Sequence, residues 1–257
     1  MADDRERLDL ALVARGLARS RSHAAQLIER GEVRVDGQVA VRPGARIGPA
    51  TRLDVTPDPY VCRAAYKLLG ALADLEAYET LPAPPFRALD AGASTGGFTQ
   101  VLRERGADPV YAVDVGHDQL AVPLRADPGV VVHEGLNLRD LTLADVGDRP
   151  VDLVVADVSF ISLTLLLEPV LGVLASSGTA LLMVKPQFEV GRERLGSGGV
   201  VRSETLRRSA VDSVATAAAE LGWPEAARVP SRLPGPAGNV EYFLLLRRGD
   251  QDDVSST

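Results

Sequence analysis

The sequence predicts an α/β protein: a parallel β-sheet with helices on both faces, preceded by a small α+β head. From residue 87 onward, apolar strand-like runs are interleaved with helix-period segments, as crossover-connected parallel strands require. A glycine-rich turn directly follows the first of those runs, the place where open parallel sheets bind ligands. Charge is also split along the chain. Residues 1–56 hold ten arginines against eight acids, and Thr56-Pro57-Asp58-Pro59 separates them from a remainder of net charge −9.

In the head, 7–17 reads as a short helix with Leu8, Leu12 and Val13 on one side and Gly16 closing it. Ser20 can cap a second helix, 21–30, that turns Ala24, Ala25, Leu27 and Ile28 inward and stops at Gly31. Residues 33–39 alternate strictly around Asp36-Gly37, the strongest short hairpin signal, and a further strand lies near 52–55. In the body, a helix over 62–78 turns Ala65, Leu68, Leu69, Leu72 and Leu75 inward, before the breaker cluster Leu81-Pro82-Ala83-Pro84-Pro85. Strands at 87–91, 110–115, 130–133, 151–158 and 179–184 are interleaved with helices at 97–105, 117–126 and 162–175. A loop with Gly191, Gly196, Gly198 and Gly199 leads to a long helix at 203–221, a strand near 226–230 and a last strand at 240–246. The expected division is a head over 1–57, a linker over 58–62, a body over 63–248 and a flexible tail over 249–257.

Composition narrows the function classes. Of 257 residues, 46% are apolar and 25% charged, which describes a globular chain with a sizeable core. Cys62 is the single cysteine, so no disulfide framework exists and a cytoplasmic setting is expected. No apolar run approaches the ~20 residues of a membrane helix, and the acidic Met1-Ala2-Asp3-Asp4 does not read as a targeting signal. Net charge of −7 argues against nonspecific nucleic-acid binding by the whole surface, whereas the mildly basic head remains suited to it.

Of the 28 basic residues, only Lys67 and Lys185 are lysines. A GC-rich genome explains the arginine bias but not these two positions. Arginine stays protonated, whereas a lysine amine responds to burial. A site that needs a deprotonatable or point-like amine cannot take arginine, so both lysines are candidates for function.

Asp90-Ala91-Gly92-Ala93-Ser94-Thr95-Gly96-Gly97-Phe98 lies between the first body strand and its helix. Its glycine spacing is neither that of a dinucleotide fingerprint nor that of a Walker loop. An acid ending the strand, then a loose glycine turn, suits a methyl donor with an adenosine and a cationic sulfonium. Asp114, followed by Val115, ends the second strand, where a carboxylate can hold ribose hydroxyls. Asn137, after the third strand, is placed to hydrogen-bond adenine. The alternative is a glycine turn that serves only strand–helix packing.

Three ionisable residues sit where burial is expected. Asp157 follows Leu153-Val154-Val155-Ala156, Lys185 ends Leu181-Leu182-Met183-Val184, and Glu241 opens an apolar strand. Such groups are costly to bury unless paired. With Lys67 they form a set of two amines and two carboxylates able to neutralise one another around a polar pocket. Singly, each reads as a strand-end residue reaching solvent. Together they suit removal of a hydroxyl proton and attack on a sulfonium methyl. An unperturbed lysine, near 10.4, is a poor base at neutral pH, and burial beside a second ammonium is what would improve it. His23, His117 and His133 show no metal-ligand spacing, and no metal is expected.

Residues 60–246 resemble the FtsJ-like (RrmJ-type) ribose methyltransferases, whose Lys-Asp-Lys-Glu tetrad falls on Lys67, Asp157, Lys185 and Glu241. Nearly the whole chain resembles the TlyA (haemolysin A) family. The strings that carry this are residues 15–21, 89–99, 156–162 (Ala-Asp-Val-Ser-Phe-Ile-Ser), 184–191 (Val-Lys-Pro-Gln-Phe-Glu-Val-Gly) and 233–243. The resemblance implies a class I, Rossmann-like S-adenosylmethionine-dependent methyltransferase joined to a ribosomal-protein-type (S-four) RNA-binding head. It implies 2′-O-methylation of cytidines in small- and large-subunit rRNA, and a link to capreomycin-type antibiotic sensitivity. Catalysis would fall to the tetrad, with Lys185 as base. Cofactor binding would fall to Asp90, Gly92, Ser94, Thr95, Gly96, Gly97, Phe98, Asp114, Val115, Asn137 and Asp157. In the linker the family often has Arg-Ala-Trp-Val where this chain has Asp58-Pro59-Tyr60-Val61, Tyr60 standing in for the aromatic.

Arg5, Arg7, Arg19, Arg21 and Arg42 of the head, with Arg63 and Arg192 beside the pocket, are the expected RNA contacts, by resemblance and by charge. The expected partner is rRNA within ribosomal subunits, met by a monomer with no membrane association. The competing readings are a haemolysin, a ribosome-assembly RNA-binding protein without catalysis, and a base methyltransferase. The first lacks a basic amphipathic helix in its support. The other two sit poorly with the four-residue polar set.

Overall fold

The computed structural model describes residues 5–56 and 58–248, with the side chain of Arg192 outside that description. The expected tail at 249–257 also lies outside it. The chain divides into two compact units between Pro59 and Tyr60.

The first unit holds β1 (Glu6–Arg7), α1 (Leu8–Ala14), α2 (Arg21–Glu29), β2 (Val33–Val35), β3 (Gln38–Val39), β4 (Arg46–Ile47) and β5 (Leu53–Val55). Helix α1 is shorter than the expected 7–17. At its start, Glu6 and Arg7 pair with Ile47 and Arg46 of β4 instead. At its end, the amides of Leu17 and Ala18 both turn back to the Leu12 carbonyl. Ser20 caps α2 by accepting the His23 amide. The Asp36-Gly37 turn joins β2 to β3, and β5 pairs with the other edge of β2. Leu8, Leu12, Leu27, Ile28, Val33 and Ile47 form the core.

The second unit is built on a seven-stranded sheet. Its elements are α3 (Ala64–Asp74), β6 (Phe86–Ala91), α4 (Gly97–Glu104), β7 (Ala107–Asp114), α5 (Val122–Arg125), β8 (Val130–Glu134) and β9 (Val151–Ala156). There follow α6 (Leu167–Gly172), β10 (Leu174–Val184), α7 (Pro186–Glu189), α8 (Glu204–Glu220), β11 (Glu225–Pro230) and β12 (Tyr242–Arg247). The strand order is β8-β7-β6-β9-β10-β12-β11. The first five are parallel, and β12 runs antiparallel between β10 and β11. Successive strand residues serve opposite faces. Val154 and Ala156 join Leu182, Val211 and Trp223 in one core layer, while Leu153 and Val155 join Leu68, Phe98, Met183 and Phe243 in the other. This is the expected sheet covered by helices on both sides.

Several element bounds differ from expectation, each for a local reason. The helix expected over 117–126 is reduced to α5. The amides of Asp118, Gln119 and Leu120 are taken by the Glu134 carboxylate, and Asp118 adopts a left-handed φ of 55°. The helix expected over 162–175 is a 3-10 turn at Leu163–Leu165 followed by α6, and Leu174 already opens β10. The helix expected over 62–78 becomes α3 plus a 3-10 turn at Glu76–Tyr78. Strand β7 begins at Ala107 and ends at Asp114, leaving Val115 outside the sheet and 68% exposed. Strand β9 stops at Ala156, so Asp157 and Val158 belong to the loop that follows.

Candidate active site

The strand ends expected to carry chemistry lie along one edge of the sheet, at the carboxyl ends of β6, β7, β8, β9 and β10 and the amino end of antiparallel β12. After β6 the chain makes the glycine turn. Gly92 has φ of 88°, and a Cβ there would lie 3.0 Å from the Asp157 carbonyl oxygen, so the turn brings two backbones close. Gly97 opens α4 directly against the start of α3: a Cβ would come within 2.6 Å of Cys62 Sγ and 2.8 Å of the Ala65 nitrogen. The Asp114 carboxylate accepts the Ser94 amide (2.8 Å) and the Gly116 amide (2.7 Å), tying the turn to the end of β7.

A cleft of about 470 Å³ opens along this edge. That volume falls in the range of small-molecule sites. Gly92, Ser94, Asp114, Val115, Asn137 and Asp157, all expected at a cofactor site, line it. Asp90, Thr95, Gly96, Gly97 and Phe98, expected there too, are not among the lining residues. Asp90 is fully buried and accepts the Thr99 hydroxyl at 2.6 Å. Burial pushes its carboxyl up to about 7, against the opposing pull of Thr99. Phe98 is 2% exposed and stacks on Phe243 inside the core. Gly96 packs against Leu120 and Leu124, and Thr95 is half-buried.

The four expected catalytic residues form two ion pairs. Lys67 Nζ donates to Glu241 Oε2 at 2.5 Å, with both side chains buried. Lys185 Nζ lies 2.6 Å from Asp157 Oδ1 and donates to Ser159 Oγ at 2.8 Å. Asp157, Lys185 and Glu241 stand at neighbouring strand ends and Lys67 reaches them from α3; of the four, Asp157 alone is among the residues lining the cleft. Lys67 Nζ also approaches Met183 Sδ at 3.9 Å, two residues before Lys185 on β10. Glu241 directly precedes β12, whose Tyr242 pairs with Val184 of β10. Gly235 leaves room for Glu241, since a Cβ there would lie 2.6 Å from Oε1.

Other residues of the site escaped sequence reasoning. Gln119 lines the cleft and accepts the Ser94 hydroxyl at 3.1 Å. Val158, Ser159, Phe160 and Ile161 line it from the loop after β9. Phe160 is 91% exposed and has φ of 65°, a conformation that costs a bulky residue on the order of 1–3 kcal/mol. Buried Asn239 accepts the Val201 amide at 2.9 Å and donates to the Gly199 carbonyl at 3.0 Å, fastening the glycine-containing loop to the segment before Glu241. Unpaired ionisable residues in apolar strands could be seen in the sequence, whereas these polar loop residues carried no such contrast.

Among the expected RNA contacts, Arg7 and Arg21 converge on one acid. Buried Asp9 accepts two bonds from Arg7 (3.0 and 2.9 Å) and one from Arg21 (3.3 Å), and these partners, Arg7 foremost, hold its carboxyl down to about 2. Arg5, Arg19 and Arg42 are exposed. Arg63, in the second unit, donates to the Pro234 carbonyl. Arg192 falls on the side chain left outside the description. His23 accepts the Arg19 amide, His133 stacks on Tyr111, and His117 is exposed. Among the described residues no group of His, Cys, Asp and Glu has the arrangement of a metal site, and no helix is long and apolar enough to cross a membrane.

Residues 60–248 match the FtsJ-like methyltransferase family and residues 6–53 match the S4 domain. A protein of Mycobacterium tuberculosis named 16S/23S rRNA (cytidine-2'-O)-methyltransferase TlyA is 52% identical over 246 residues, spanning 95% of this chain and 90% of its own. Hemolysin A of Brachyspira hyodysenteriae is 35% identical over 238 residues, 92% of this chain and 98% of its own. A solved structure from Streptococcus thermophilus, provisionally named a hemolysin, is 35% identical with a TM-score of 0.73, covering 97% of this chain and 90% of its own. With its sheet, its paired lysines and carboxylates and its two matched domains, the chain belongs to the TlyA family of FtsJ-like methyltransferases that carry an S4 domain.

Proposed function

We propose that this chain is an S-adenosylmethionine-dependent methyltransferase that modifies the ribose 2′-hydroxyl of cytidines in rRNA of the small and large ribosomal subunits. The observation that carries this is the gathering of two amine–carboxylate pairs at one sheet edge, with Asp157 of the Lys185 pair lining the cleft. The cleft fits the donor chemically. Gly92 permits close backbone approach, Asp114 offers a carboxylate at the ribose position, and Asp157 brings negative charge toward a cationic centre. When bound, S-adenosylmethionine supplies an electrophilic methyl group on a sulfonium.

The protein's own residues do the rest. Lys185 Nζ, held between Asp157 and Ser159, would act in its neutral form: after losing its own proton to solvent it would accept that of the incoming hydroxyl, whose oxygen would take the methyl group and leave the donor sulfur as a neutral thioether. Asp157 then holds the resulting ammonium. Lys67 and Glu241, buried behind Lys185, neutralise each other, so neither leaves an unpaired charge beneath the site. Phe160, exposed at the edge of the cleft, offers a face on which a base turned out of an RNA helix can stack. In the head, the arginine pair on Asp9 and the exposed Arg5, Arg19 and Arg42 make phosphate contacts that position the RNA without reading its sequence. The same reading links the methylation to capreomycin-type antibiotic sensitivity.

The test is ribose-methyl mapping, by resistance to alkaline hydrolysis, on subunits treated with wild-type protein and with Lys185→Ala. Wild type should protect specific cytidines. The variant should bind S-adenosylmethionine calorimetrically as wild type does and protect none. Full turnover by Lys185→Ala overturns the role of the base. Base methylation without ribose methylation overturns the reaction.

A further inference from the structure

We infer that Glu189 is a positioning residue for methyl transfer, clamping the loop that carries Asp157 and Ser159 onto the helical turn that follows Lys185. The inference rests on the reading of Lys185 as the base. Two segments meet at this carboxylate. One is the loop after β9, residues 157–163, which supplies both partners of Lys185 and five residues of the cleft wall. The other is α7, which begins at Pro186 with Lys185 as its N-terminal cap and ends at Glu189. Glu189 Oε1 accepts the Leu163 amide at 2.9 Å, and Oε2 accepts the Ser162 hydroxyl at 2.5 Å. Ser162 Oγ also lies 2.7 Å from Thr164 Oγ1, which extends the network into the 3-10 turn. The Phe160 and Phe188 rings, with centroids 5.3 Å apart, join the same two segments one step nearer the cleft.

The hydrogen bonds of this network are no part of the sheet ladder, since Ser162, Leu163 and Glu189 lie outside its strands, although the Leu163 side chain packs in the core. What the network sets is the spacing between two strand ends. Lys185 leaves β10 and Asp157 leaves β9, and beyond those ends the ladder no longer holds them in register. One carboxylate carried on the β10 side, with two bonds into the loop after β9, bridges that gap instead. Burial raises the Glu189 carboxyl above its ordinary range, while the Ser162 and Leu163 bonds pull the other way. A glutamine in its place can still accept from the Leu163 amide and can donate to Ser162 Oγ, so the clamp is a matter of geometry more than of charge.

The experiment compares Glu189→Ala, Glu189→Gln and Ser162→Ala with wild type and Lys185→Ala. Hydrogen–deuterium exchange over 157–165 is the structural readout, and kcat with saturating S-adenosylmethionine and RNA is the catalytic one. Loss of a hydrogen bond to a buried carboxylate predicts roughly tenfold or faster exchange at Leu163 and a comparable fall in kcat for Glu189→Ala. Glu189→Gln should recover most of both. Ser162→Ala, a small change at the partner, should loosen the loop part of the way, and it serves if Glu189→Ala does not fold. Wild-type exchange in both alanine variants overturns the clamp. Equal defects in Glu189→Gln and Glu189→Ala overturn it too, because they make the charge essential. Activity retained by Lys185→Ala, with the loop still loosened in Glu189→Ala, sinks the base and leaves the clamp standing.

Discussion

The buried pair of Lys67 and Glu241 sets stability against function in a way that mutation can separate. The two side chains are 6% and 1% exposed and 2.5 Å apart. Removing one partner leaves the other as an uncompensated charge in the core. That costs about 3–5 kcal/mol, so Glu241→Leu and Lys67→Met should each destabilise by this amount. Removing both leaves neither charge behind, and replacing a buried pair with apolar groups of similar volume ranges from neutral to about 1–4 kcal/mol stabilising. The double variant should therefore be at least as stable as wild type although each single variant is crippled. The assay is urea unfolding followed by Trp223, the chain's single tryptophan, which is 2% exposed and reports on the second unit alone. With a denaturant slope of about 2 kcal/mol/M, each single change should lower the midpoint by roughly 2 M. All three variants should lose methyl transfer. A double variant no more stable than the worse single one would refute the reasoning, as would single-variant losses below about 1 kcal/mol.

Further predictions follow from the titrating groups. Asp90 sits at about 7 in the folded protein against about 3.9 in an unfolded chain. The native state thus keeps a proton that the unfolded state releases, and stability should fall as pH rises from about 4 to about 7, with a slope of at most about 1.4 kcal/mol per pH unit. Asp90→Asn should flatten that slope when urea midpoints are measured across the window. Glu134 is held down to about 2, chiefly by Arg125 and then by the amide of Asp118. Its contribution is present above its ordinary range and is lost as pH falls toward 2. Glu134→Ala should free the Gln119 loop and raise the calorimetric Kd for S-adenosylmethionine severalfold, with the Trp223 unfolding midpoint little changed. An unaltered Kd would show that the loop does not shape the cleft.

Much of this could be read from residues alone because the physical contrasts are large. Strand runs buried on both faces, such as Leu153 to Ala156, leave Asp157 conspicuous, and two lysines among arginines stand out without any structure. The hairpin at Asp36-Gly37 and the Ser20 cap are local signals with local causes. The failures are nonlocal. Strands β1 and β4 are two residues each, too short to show a period. The helix expected over 117–126 yields to a carboxylate on β8 that no nearby residue announces. The burial of Asp90 and Phe98 follows from strand alternation and helix rotation, which the spacing of the glycine turn does not display. Glu189 and Asn239 act through backbone amides of distant loops, a relation that spacing cannot reveal.

The central position of β12 has a consequence for how the protein comes into being. The last strand among the described residues inserts between two laid down earlier, and it brings in the acid that answers an amine 174 positions upstream. During synthesis β10 and β11 therefore emerge before the strand that separates them, and any product broken off ahead of Glu241 carries Lys67 buried without its acid.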